Sequence, residues 1–165
     1  MKITVSNAIA AGRSSVFEAL VDPGVLRSSI PGCQTLTVIG PDAYEATLKV
    51  GVAGLKGVYR GTAEVLDQRP FESLTVTFDG KGVSGFVRGS AAITLSADGD
   101  GTLFVCDADV QVGGLIAAVG SRLVQAAARK LAAAFCRQLQ REVGIDEASD
   151  AGEDLEPDEE SETTD

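Results

Sequence analysis

The sequence predicts an α+β domain in which a curved antiparallel sheet of about seven strands encloses one long C-terminal helix. Two observations predict it. Residues 2–112 fall into short segments of alternating apolar and polar side chains, separated by Gly, Pro and Asp. Beyond Gly113-Gly114 the apolar residues recur at helical spacing instead.

The first strand is expected at 2–9, where Ile3, Val5, Asn7 and Ile9 alternate with Lys2, Thr4, Ser6 and Ala8. Ser14 or Ser15 is placed to cap a short helix carrying Val16, Phe17, Leu20 and Val21. Asp22-Pro23-Gly24 interrupts it, and a second short helix is expected over Val25 to Ser29. Pro31 forces Ile30 toward extended geometry, so that helix stops by Ser29.

Six more strands follow. They are expected at Gln34–Ile39, Ala43–Val52, Lys56–Asp67, Ser73–Asp79, Gly85–Ala97 and Thr102–Val112. Alternation turns Tyr44, Leu48, Val50, Tyr59, Val87 and Phe104 inward. It turns the strand carboxylates outward, Asp107 and Asp109 among them. Leu115, Val119, Leu123, Ala127, Leu131, Phe135, Leu139 and Val143 recur every fourth residue. They predict one amphipathic helix of about 29 residues, about 44 Å long.

The net charge of −10 divides unevenly. Residues 1–145 hold thirteen acidic and fourteen basic side chains, and 146–165 hold eleven acidic and none basic. The first span is expected to be the ligand-binding domain, and the second a disordered acidic tail with only Leu155 as an aliphatic anchor. A near-neutral body has no concentrated basic face, which excludes nucleic acid as an expected partner. The opening MKITVSNAIA alternates in polarity, unlike the continuous apolar core of a signal peptide. Three widely spaced cysteines with no CxxC pair fit a reducing compartment. The expected location is therefore cytoplasmic, with any membrane contact peripheral at the inner face of the cell membrane.

The chain contains no histidine. That removes His-activated nucleophiles, His-ligated metals and the commonest neutral-pH base, and no catalytic or metal residue is nominated. Apolar residues make up 44% and aromatics 5% of the chain, so the interior is filled mainly by small aliphatic side chains. That leaves room for an apolar ligand. Its expected contacts are Leu48, Val50, Tyr59, Gly61, Val87, Gly89, Phe104, Val119 and Leu123, with Ile30, Pro31 and Cys33 at the cavity mouth. Gly61 and Gly89 fit either a ligand approaching the backbone or a bend in the sheet. Cys33 has no histidine or adjacent cation to activate it and is read as a small packing residue.

Five segments, in order, carry a family resemblance: Ile30-Pro31-Gly32-Cys33, LKVGVAGLKGVYRG from Leu48, GFVRGSA from Gly85, DGDGT from Asp98, and VQVGGLIAAVGSRLVQAAARKLAAAF from Val110. Over nearly all of 1–143 the sequence resembles CoxG, the accessory subunit of aerobic carbon monoxide dehydrogenase, within the START-like polyketide cyclase and lipid transport (SRPBCC) superfamily. The resemblance implies a helix-grip fold with one deep apolar cavity. It implies a non-enzymatic accessory and recruitment factor of a molybdenum hydroxylase, carbon monoxide dehydrogenase, linking that enzyme to the membrane quinone pool. Menaquinone or ubiquinone is then the candidate carried ligand, without any covalent cofactor. The alternative from the same superfamily is a cyclase or dehydratase acting on an aromatic or polyketide substrate, for which Tyr44 and Tyr59 are the inward polar groups. The chain departs from the family where many members carry an apolar or amphipathic C-terminal anchor, since the acidic tail stands there and anionic lipid would repel it. Contact with a membrane is then expected to be transient, through the cavity mouth.

Overall fold

The computed structural model describes the backbone of residues 1–163 and the side chains of residues 1–144. The expected tail, 146–165, therefore lies outside the residues described in full. Strand β1 (Lys2–Ile9) leads into helices α1 (Arg13–Leu20) and α2 (Pro23–Ser29). Then come β2 (Cys33–Gly40), β3 (Ala43–Val50), β4 (Gly57–Arg69), β5 (Ser73–Gly82), β6 (Gly85–Asp98) and β7 (Gly101–Gly113). Helices α3 (Leu115–Ala118) and α4 (Ser121–Thr163) follow. The strands form one antiparallel sheet in the order β1-β7-β6-β5-β4-β3-β2.

The short helices differ from expectation in their caps. Helix α1 is entered through the extended Gly12, with Ser14 and Ser15 inside its first turn, and no side chain caps it. Asp22 does more than interrupt the chain. Its carboxylate accepts from the backbone N–H groups of Gly24 and Val25, and Pro23 sits in the first turn of α2, where a missing N–H costs nothing. Helix α2 ends at Ser29, as Pro31 requires.

The single long helix expected from Leu115 is broken. Gly120 takes a φ of 94°, which separates the one-turn α3 from α4. Strict four-residue spacing also does not mark one face. Four residues advance about 400°, so the stripe turns about 40° at each step. With Phe135 facing the sheet, Leu123 lies about 120° away, and Val119 stands before the break at Gly120. Of the stripe, Ala127, Leu139 and Val143 are buried, and Val124 and Cys136, outside it, are buried beside them.

Two apolar clusters fill the space between sheet and helices. The larger one joins α1, the C-terminal part of the described α4 and the sheet, around Ile9, Val16, Leu74, Phe104 and Leu139. The smaller one gathers Val50, Tyr59, Ile116 and Val124. Thr102, fully buried, donates from its hydroxyl to the Ala11 carbonyl at 2.7 Å and ties β7 to the turn after β1.

Candidate functional site: an apolar cavity under the long helix

A cavity of about 390 Å³ lies between the two clusters, open to the surface on one side. Strands β2 to β6 form its floor, while α1 and α2 contribute Leu20, Leu26 and Ile30, and α4 lays Leu131 and Phe135 over it. Alternation explains the floor. Tyr44, Ala46, Leu48 and Val50 follow one another on one face of β3, and Tyr59, Gly61, Ala63 and Val65 on one face of β4. Thr62 and Asp79 border the cavity as exposed strand residues.

Of the residues expected at the site, Leu48, Val50, Tyr59, Gly61, Val87 and Ile30 lie on this wall. The others lie elsewhere. Val119 and Leu123 are 44% and 41% exposed: Val119 ends α3 before the break at Gly120, and the stripe that placed Leu123 inward drifts round α4. Phe104 is spent in the larger core cluster, its ring 6.3 Å from that of Phe135. Pro31 and Cys33 flank Ile30 without reaching the cavity. Cys33 starts β2 opposite Leu48, and its thiol donates to the Thr35 carbonyl at 3.4 Å.

The two glycines answer to the bend of the sheet. A Cβ on Gly61 would lie 2.1 Å from the Asp79 carbonyl oxygen, and one on Gly89 would lie 2.1 Å from that of Asp109. Neighbouring strands coil so tightly here that no side chain fits. Gly89 is not on the wall; Gly61 is, and there backbone replaces side chain.

Several wall residues carried no nomination. Ala46, Ala63 and Val65 share the faces of Leu48 and Tyr59, so alternation could have found them. Leu131 and Phe135 lay in the helical stripe. Leu20 and Leu26 reach the cavity through the packing of α1 and α2, which no local pattern encodes.

Inside the border marked by Thr62 and Asp79, the polar side chains of the cavity are two phenols, Tyr44 and Tyr59. Tyr59 donates its hydroxyl to the Leu55 carbonyl at 2.8 Å, and burial raises its pKa above the ordinary phenol value. Tyr44 is raised by burial first, then by the nearby carboxylates of Asp42 and Asp22. All three thiols are raised too, chiefly by burial, and Cys136 is pushed up to about 12. Asp107 and Asp109 stand exposed on the outer face as expected; Asp107 accepts from the Thr4 hydroxyl at 2.7 Å. Among the described residues, no group of His, Cys, Asp and Glu is placed to hold a metal ion. No helix, among the described residues, is long and apolar enough to cross a membrane.

The family model of CoxG, a carbon monoxide dehydrogenase subunit, matches residues 6–144. No curated protein matches the chain. Among solved structures, a conserved protein from Geobacillus kaustophilus is 31% identical, with a TM-score of 0.83 over 88% of this chain and 96% of that one. A START superfamily protein from Mycobacterium smegmatis shares the fold at 15% identity and a TM-score of 0.66, over 87% of this chain and 97% of that one. A Thermus thermophilus protein does so at 15% identity and a TM-score of 0.65, over 88% and 98%. The seven-stranded sheet, the long helix and the two short helices after β1 make this the helix-grip, START-like fold. The chain belongs to the CoxG family of carbon monoxide dehydrogenase subunits.

Proposed function

We propose that the protein is a non-enzymatic carrier. It holds a quinone-like or other apolar lipid, with menaquinone or ubiquinone as the leading candidate, in the cavity under α4. It serves as an accessory factor of a molybdenum-type carbon monoxide dehydrogenase, meets the membrane transiently, and passes its ligand between that enzyme and the quinone pool. The observation that carries this reading is the cavity itself. Its volume of about 390 Å³ falls among ligand pockets, and aliphatic and aromatic side chains make most of its wall. An apolar ligand entering it leaves the Tyr59 hydroxyl on its Leu55 carbonyl partner.

A cyclase or dehydratase fits less well. Its chemistry needs an acid or base of suitable pKa at the substrate; Tyr44 and Tyr59 are raised above the ordinary phenol value, which makes them poorer proton donors at neutral pH, and Asp79 stands exposed at the border. Thiol chemistry finds no support either, since the cysteines are raised by burial.

Equilibrium dialysis of the folded protein against short-chain menaquinone and ubiquinone analogues tests the carrier reading. Ala63→Phe puts a ring into the cavity from the middle of β4 and is expected to weaken binding at least about tenfold while circular dichroism is unchanged. A wild type that takes up no quinone or lipid, or a variant that binds as the wild type does, overturns the assignment.

A further inference from the structure

The antiparallel sheet gives the domain two ends of opposite character. At one end lie the β3–β4 loop, the β5–β6 turn and the β7–α4 corner. They are joined. The Ile116 N–H donates to the Ser84 carbonyl at 3.0 Å, the Ser84 hydroxyl donates to the Lys56 carbonyl at 3.5 Å, and Leu123 covers Gly54. This joined surface presents Val83, Leu115, Val119 and Leu123 to solvent, the first two with little cover. It is continuous with the cavity, because Leu55 of the same loop stands on the cavity wall and accepts from Tyr59.

Charge follows the same division. Residues 50–57, 82–86 and 113–123 include no carboxylate, and their only charges are Lys56 and Arg122. Lys49, Arg60 and Lys81 stand exposed on the adjoining strand ends. Among the described residues the one ion pair is that of the N-terminal amine with Asp109, so these five cations have no carboxylate partner. The turns at the other end carry Asp42, Asp67, Glu72, Asp98 and Asp100 against Arg13 and Arg69. Helix α4 starts at the apolar end and leads away from it, and about midway along it Gln140 accepts from the Ala10 N–H. The eleven acidic residues of 146–165 follow from there.

We propose that the end formed by Val83, Leu115, Val119 and Leu123, with Lys56 and Arg122, is a docking surface for an anionic lipid bilayer. Apolar side chains enter the headgroup boundary and free cations meet lipid phosphates. The acidic end points away, so the charge asymmetry orients the molecule on approach. The inference rests on the carrier reading for its purpose: a ligand leaving the bilayer would enter at the loop that walls the cavity.

The test is sedimentation of the full chain with vesicles of phosphatidylcholine containing about one third phosphatidylglycerol, and with phosphatidylcholine alone. The wild type is expected to sediment with the anionic vesicles and to be released by salt. Val83→Glu with Leu115→Glu changes two largely solvated side chains, leaves the fold intact, and is expected to cut binding at least about tenfold. Lys56→Gln and Arg122→Gln should each cost about fivefold. A wild type that stays in solution, or a double variant that sediments as the wild type does, overturns the proposal. So does a wild type that ignores vesicles but forms a dimer that the double variant abolishes, which would make this end an interface between copies. Ala63→Phe separates the two readings. It is expected to keep vesicle binding while losing quinone in dialysis, so failure to carry a ligand and failure to dock are scored in different assays.

Discussion

At Cys136 burial decides the chemistry of a side chain. The thiol lies on the covered face of α4, in the apolar cluster that also holds Leu139, and burial pushes its pKa up to about 12 from an ordinary 9.0. Burial is the larger cause and the Cys106 thiol the smaller. In the unfolded chain the same thiol ionises near its ordinary value. Between about pH 9 and pH 12 the unfolded state therefore holds fewer protons than the folded one, and stability falls as pH rises through that window. Below it the contribution is intact. Cys106, Tyr44 and Tyr59 are raised as well and act in the same direction. The decline of the urea midpoint from about pH 8 to about pH 11, under reducing conditions, should be shallower in Cys136→Ala than in the wild type. Parallel declines would show that the thiol is not desolvated in solution.

The elements differ in how much of their placement is local. Strand positions were legible because alternation has a period of two and every strand but the edge strand β2 buries residues of one face, so Tyr44, Leu48, Val50 and Tyr59 all turned inward as the pattern requires. Helix α4 was legible in existence but not in phase. Its period does not match a four-residue repeat, and a left-handed glycine at 120 ends the turn before it. The caps of α1 and α2 were partly hidden. Serine is a common cap, yet here Gly12 and Asp22 hold those positions. Asp22 is exposed and spends one carboxylate oxygen on two N–H groups, at 2.9 Å from Gly24 and 3.3 Å from Val25. Asp22→Ala should lower stability by about 1 kcal/mol, read from urea denaturation. Because α2 supplies Leu26 and Ile30 to the cavity, the same variant should weaken quinone binding more than an exposed-strand control such as Asp107→Asn. Equal affinities would show that α2 holds its place without its cap.

For the whole molecule, the distribution of charge matters more than its sum. A net charge of −10 predicts repulsion from an anionic surface, but the charge is not spread evenly. The loops beside the cavity carry Lys56 and Arg122 without a carboxylate, and eleven of the acidic residues lie beyond Ile145. Two consequences follow for a chain cut after Ile145. Its melting temperature should change little, since residues 146–165 offer a single large aliphatic side chain, Leu155, to dock on the body. Its affinity for anionic vesicles should hold or rise, because removing eleven negative charges lifts the net charge from −10 to +1 while Val83, Leu115, Val119 and Leu123 remain. Differential scanning calorimetry reads the first and vesicle sedimentation the second. A truncated protein that melts several degrees lower, or that no longer sediments while the full chain does, would make the acidic segment part of the domain or of its membrane contact. The cavity end would then not suffice to hold the protein at a bilayer.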